Sequence, residues 1–110
     1  MKKSLWAAFF TSSIGWGGQG VITIQDDQIS GGDGEFYYHG GFSVNASNVA
    51  TASIHIKSYG ATPHSILPGV NEYTTTFTGQ YNEQEMILTS SIVEPLRATI
   101  SVKLKKITVL

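Results

Sequence analysis

The sequence has no cysteine, which excludes a disulfide framework, an iron–sulfur cluster, a Cys-ligated zinc site and a cysteine nucleophile. Charge is also scarce. Asp, Glu, Lys and Arg make up 14% of the chain, against about 25% in an ordinary globular domain. The formal net charge is -1, so there is no basic field to hold a phosphate backbone, and nucleic acid is not an expected direct partner. No apolar run approaches the ~20 residues of a membrane-spanning helix, and no membrane association is expected. Proline occurs three times in the chain. Helix periodicity is missing as well: no long window keeps apolar residues at i, i+3, i+4 and i+7. What is present is an apolar share of 41% in 110 residues, enough for one domain with a core of its own.

The start of the chain imitates a secretory leader, with Lys2-Lys3 before Leu5-Trp6-Ala7-Ala8-Phe9-Phe10. The apolar run is shorter than the 7–15 residues of such a leader, and no small-x-small site follows it. The expectation is a first strand buried on both faces and a cytoplasmic protein.

Thr, Val, Ile, Tyr and Phe are plentiful, and turn signals recur every 8–14 residues, which is the spacing of an all-β barrel or sandwich. Strands are expected over 4–12, 20–25, 28–30, 35–43, 48–59, 72–80, 85–92 and 97–107. Strands five and eight alternate cleanly. Ala50, Ala52, Ile54 and Ile56 face one way, as do Ala98, Ile100, Val102 and Leu104. Asp26-Asp27 is expected as a tight turn. Gly31-Gly32-Asp33-Gly34 is the strongest turn signal, and Gly40-Gly41 suggests a bulge or bend. Short links favour antiparallel neighbours in sequence order. Eight such strands predict an up-and-down barrel closed on itself, filled by side chains or holding one small ligand.

Candidate chemistry is thin. Gly15-Trp16-Gly17-Gly18-Gln19-Gly20 matches G-x-G-x-x-G, but Val21-Ile22-Thr23-Ile24 follows it, and the dinucleotide motif needs a helix there. The densest carboxylate group is Asp26, Asp27, Asp33 and Glu35, all in turns or beside them. His39, His55 and His64 share no metal-binding spacing, and His55 belongs to the polar face of strand five. No G-x-S-x-G elbow exists. Lys103, Lys105, Lys106 and Arg97 form a mild basic stripe on strand eight, read as a solvated face. Asn45-Ala46-Ser47 is a glycosylation sequon, relevant only to a secreted chain. No catalytic residue, metal ligand or cofactor is therefore expected.

Aromatic residues are spread over most strands, and about half would point inward on a closed barrel. Trp6, Ile54, Phe77 and Ile100 are expected to line a cavity that could take an apolar, lipid-like molecule. Small Ala50, Ala52 and Ala98 would leave it room. Outward aromatics, with so few charges, suggest a patch for a second copy or another protein.

Several of these pieces occur in the order of a known family. They are Leu5-Trp6, the glycine-rich stretch before Val21, Ile29-Ser30-Gly31-Gly32-Asp33 with Tyr38 and Gly40, and the runs 54–59, 73–79 and 86–88. Over nearly its whole length the chain resembles the GrlR-like family of small bacterial regulators, whose type member is a negative regulator of type III secretion gene expression. The resemblance implies an eight-stranded, lipocalin-like barrel without enzymatic activity. It also implies a regulator that binds a helix-turn-helix transcriptional activator and keeps it off its promoter. The type member carries an acidic run between strands four and five. Here Ser43-Val44-Asn45-Ala46-Ser47 stands in its place, without an acid. Partner contact is expected from Asn45, Ala46, Ser47 and Asn48 and from the loop 60–71 with Tyr59, Pro63 and His64. The protein is expected to form a homodimer.

Overall fold

Strand alternation decides the architecture, because each strand has one apolar row to hide and short links to its neighbours. The computed structural model describes residues 3–15, 17–60, 67, 69–94 and 96–110. They form β1 (Ser4–Ser12), β2 (Gly17–Gln25), β3 (Gln28–Gly32), β4 (Phe36–Val44), β5 (Val49–Ser58), β6 (Glu72–Gln80), β7 (Glu85–Ser90) and β8 (Ile100–Val109). Each strand pairs antiparallel with the next, and β8 returns to β1, closing the barrel. The fold is thus an all-β, eight-stranded, up-and-down, lipocalin-like barrel. Closure removes the free edges that an open sheet of these strands would expose. Among the described residues there is no helix, so none is long and apolar enough to cross a membrane.

Alternate links fall at opposite ends. The links after β1, β3, β5 and β7 gather at one end, the mouth. The turns after β2, β4 and β6 gather at the other, the base. The inward rows of β5 and β8 are those that the alternation gives: Ala50, Ala52, Ile54 and Ile56, and Ile100, Val102 and Leu104. On β2, Ile22 and Ile24 point inward, while Val21 is exposed. Loop residues add to the core at the mouth end. Leu67 is fully buried, Val70 packs on the core, and Val93 and Ala98 pair with each other as a short bridge.

The glycines depart from expectation. Gly31 and Gly32 extend β3, and the turn is 33–35. A Cβ on Gly31 would lie 2.1 Å from the Val21 carbonyl oxygen, so glycine serves close strand packing there. Gly40-Gly41 makes no bulge, since the register of β4 is continuous with both neighbours. A Cβ at Gly40 would lie 1.8 Å from the Ser53 carbonyl oxygen, which makes Gly40 a point of close approach. The register shift lies instead between Leu5 and Trp6, where β1 meets β8.

Strand limits move too. Gly17 and Gly18 belong to β2 and pair with Thr11 and Phe10. β7 stops at Ser90, whose Oγ accepts the Ile100 N–H at 2.7 Å and donates to the Ser91 carbonyl at 2.8 Å. β1 buries one face only. Trp6 and Ala8 point inward, while Leu5 and Ala7 are half-buried outside and Phe9 is exposed.

Candidate functional site

The Asp33 turn builds a polar cluster at the mouth. Asp33 Oδ1 accepts the N–H groups of Glu35 and Phe36, each at 2.8 Å, which fixes the link from β3 to β4. Asp33 Oδ2 accepts the Tyr38 hydroxyl, and the Asp33 carbonyl accepts the Tyr59 hydroxyl. Tyr38 can reach Asp33 because Gly20 faces it: a Cβ there would stand 2.7 Å from the Gly32 carbonyl oxygen and 3.0 Å from the Tyr38 hydroxyl. Burial, then the hydrogen bond and charge of Asp33, raise the Tyr38 hydroxyl well above the ordinary tyrosine range. Burial, with Asp33's charge second, pushes Tyr73 up to about 12.

Among the described residues two chambers lie within the barrel. One of about 70 Å³ opens beside this cluster and is lined by Asp33, Tyr38, Tyr73 and the rings of Phe10, Phe36 and Phe77, among others. A second of about 40 Å³ lies deeper, with a wholly apolar wall that includes Ala52, Ile54 and Leu88. Phe10, Tyr38, Ile56 and Phe77 border both. Even together the chambers are smaller than the ~150 Å³ engineered cavity that holds benzene. Of the residues expected to line a cavity, Ile54 borders the inner chamber, Ile100 the mouth chamber and Phe77 both. Trp6 lies toward the base and borders neither. It is buried there, its indole N–H donates to Ser4 Oγ at 2.8 Å, and the Lys106 ammonium sits 5.3 Å from the ring centre.

The residues expected to contact a partner do not share a surface. Asn45, Ala46, Ser47 and Asn48 form the exposed turn between β4 and β5 at the base. Asn45 Oδ1 accepts the N–H groups of Ser47 and Val49, and Asn48 holds a left-handed φ of 63°. Asn48 also bonds the β6–β7 turn in both directions, donating Nδ2 to the Tyr81 carbonyl at 3.1 Å and accepting the Tyr81 N–H at 2.9 Å. Tyr59 stands at the mouth, exposed apart from its bond to Asp33. Pro63 and His64 lie outside the described residues.

The carboxylate group divides in the same way. Asp26 and Asp27 turn the chain at the base, with Asp26 at φ 54°, whereas Asp33 and Glu35 belong to the mouth. The Asp27 carbonyl accepts the Phe42 N–H at 2.9 Å, tying its turn to the end of β4. The base is therefore a strip of three joined turns. Exposed Asp26 and Asp27 stand on one side of residues 45–48 and exposed Glu83 on the other.

On the outer wall, His39 and His55 pair across β4 and β5 with ring centres 5.4 Å apart, and Tyr37 stacks on His39. His55 is not fully solvated: it is half-buried and hydrogen-bonded to Glu72 at 2.8 Å. Among the described residues no group of His, Asp and Glu could hold a metal ion. The G-x-G-x-x-G stretch leads into β2 and not into a helix. Elsewhere on the wall, exposed Phe9 on β1 faces Lys103, which faces exposed Ile87 on β7. Exposed Val21 lies beside Ala7 one row down.

The Asp33–Tyr38–Tyr73 cluster was missed from sequence. Its local signal was an Asp before a turn glycine, followed by a tyrosine in phase with inward Phe36 and Phe42. The approach of Tyr73 depends on barrel closure. No family model and no curated protein matches the sequence.

Proposed function

We propose that this chain is a cytoplasmic, non-enzymatic interaction protein that sequesters a helix-turn-helix transcriptional activator, as the type member of the GrlR-like family it resembles does. The observation that carries the reading is the distribution of apolar side chains. The two chambers seen among the described residues are small, while Phe9 and Val21 stay exposed on neighbouring β1 and β2, and Ile87 on β7 beyond Lys103 of β8. Exposed apolar side chains grouped on one wall are the ordinary basis of protein association. Pairing two copies of this wall about a two-fold axis would cover the patch with itself.

The base supports the choice of partner. Residues 43–47 carry no acid, but the flanking turns bring Asp26, Asp27 and Glu83 to the same end. Carboxylates at those positions complement the cationic surface with which an activator grips DNA. A lipid-like occupant of the barrel is disfavoured, because it would require the wall to part.

The test begins with a tagged pull-down that identifies the DNA-binding regulator, followed by a promoter gel shift with that regulator. A near-stoichiometric amount of the barrel should abolish the shifted band. The triple variant Asp26→Asn, Asp27→Asn, Glu83→Gln should need more protein to do so. An activator that still binds DNA in a large excess of the wild-type barrel would end this reading.

A further inference from the structure

The mouth chamber has a chemistry that protein binding does not use. Five aromatic side chains, Phe10, Phe36, Tyr38, Tyr73 and Phe77, border it together with the carboxylate of Asp33. Among the described residues no Lys, Arg or His lines it. Aromatic faces carry negative potential, and a ring of them beside a carboxylate attracts a cation.

Hydrogen bonding points the same way. Tyr38 gives its only proton to Asp33 Oδ2, so its oxygen has only lone pairs left for the chamber. Asp33 Oδ1 is engaged by two backbone N–H groups, while Oδ2 accepts one hydrogen bond and keeps a further lone pair. Asp33 and Tyr38 thus present acceptors without a donor. An anion would meet the Asp33 charge, lone pairs and ring faces, with the Tyr73 hydroxyl the one side-chain donor among the described lining residues. A neutral alcohol could donate one proton but would bring no charge. A primary ammonium brings three donors, no acceptor and a positive charge.

Size sets the limit. At about 70 Å³ the chamber is roughly half the cavity that holds benzene, so it suits a few non-hydrogen atoms. We propose that the barrel mouth, walled by Asp33, Tyr38, Tyr73 and three phenylalanines, is a binding site for a small primary alkylammonium ion. The ammonium donates to Asp33 Oδ2 and the Tyr38 oxygen, and its alkyl carbons lie against Phe10, Phe36 and Phe77. The same chemistry is offered by a free amine and by the tip of a lysine side chain. The site is independent of partner binding at the base.

The experiment is a titration of the full chain, followed by ¹H–¹⁵N NMR, with ethylammonium, ethanol, acetate and Nα-acetyl-lysine amide. Ethylammonium should move the amides of Gly17, Gly18 and 33–36 and bind about tenfold or more tightly than ethanol, with acetate silent. A lysine derivative that binds as well as ethylammonium assigns the site to a protein side chain; a silent one assigns it to a free amine. Asp33→Asn keeps an oxygen to accept the two turn N–H groups and should lose about tenfold in ethylammonium affinity. Equal binding of ethanol and ethylammonium to the wild-type chain overturns the proposal without any variant. So does unchanged affinity in a folded Asp33→Asn protein, or the absence of shifts at the mouth.

Discussion

Phe77→Ala would merge the two chambers into one. Phe77 is 4% exposed and, with Phe10, Tyr38 and Ile56, borders both the mouth chamber and the inner one, so its ring is part of the partition between them. Replacing a buried phenylalanine by alanine costs about 3–5 kcal/mol. The ring already faces two voids and forfeits fewer dispersion contacts than one packed on every side, so the low end applies, about 3 kcal/mol. A domain of this length is stable by roughly 5–15 kcal/mol, so the variant should still fold. Its Tm should fall by about 12 °C. The merged cavity should also be able to take benzene. Benzene several-fold above its Kd should then return about 1 kcal/mol to the variant. Wild-type protein, with its partition intact, should gain nothing. Urea unfolding and thermal scans with and without benzene measure both effects. A loss below about 1 kcal/mol, or equal stabilisation of both proteins by benzene, would refute the account of Phe77 as a wall between voids.

Three further predictions concern the frame around the site. Gly40→Ala should cost about 3 kcal/mol or more, because its Cβ would lie 1.8 Å from backbone, whereas Gly41→Ala meets nothing nearer than 3.8 Å and should stay within about 0.5 kcal/mol of wild type in urea unfolding. Tyr73 has a folded-state pKa raised to about 12 against an ordinary 10, so its contribution is complete below pH 10 and lost as pH rises from 10 to 12. Stability should therefore decline across that window, and less steeply in Tyr73→Phe, when unfolding midpoints are compared at successive pH values. Asn45→Ala removes the acceptor of two turn N–H groups at an exposed position and should cost about 1 kcal/mol by the same assay.

Much of the barrel was legible because alternation is a local signal. The inward rows of β5, β6 and β8 can be counted off the sequence, and short links leave few other topologies. The glycines were harder to read, since one residue type serves two purposes. Glycine marks a turn where the backbone needs a left-handed φ, and it marks close strand packing where a Cβ would strike a neighbour. Gly31 and Gly40 are of the second kind, and the oxygens they avoid belong to Val21 and Ser53. A local reading of residues 31–34 or 40–41 cannot see those partners. The mouth cluster was hidden for a related reason. Asp33 and Tyr38 are close in sequence, but Gly20 and Tyr73 reach them only through the register of three other strand pairs. The opposite placement of residues 45–48 and Tyr59 was available in principle, since consecutive links of a meander fall at alternate ends.

The barrel is closed, but it is not equally tight around its circumference. β4 and β5 hold a register of nine residue pairs, whereas β6 and β7 share only Phe77 with Ser90 and Thr78 with Thr89. A seam with so little ladder is where local opening takes least free energy, and amide hydrogens beside it should exchange earliest among the strands. Phe77 lies on that seam and also walls the inner chamber. Breathing between β6 and β7 should therefore widen access to the apolar inner chamber, so exchange of a small guest there should follow the opening of this seam.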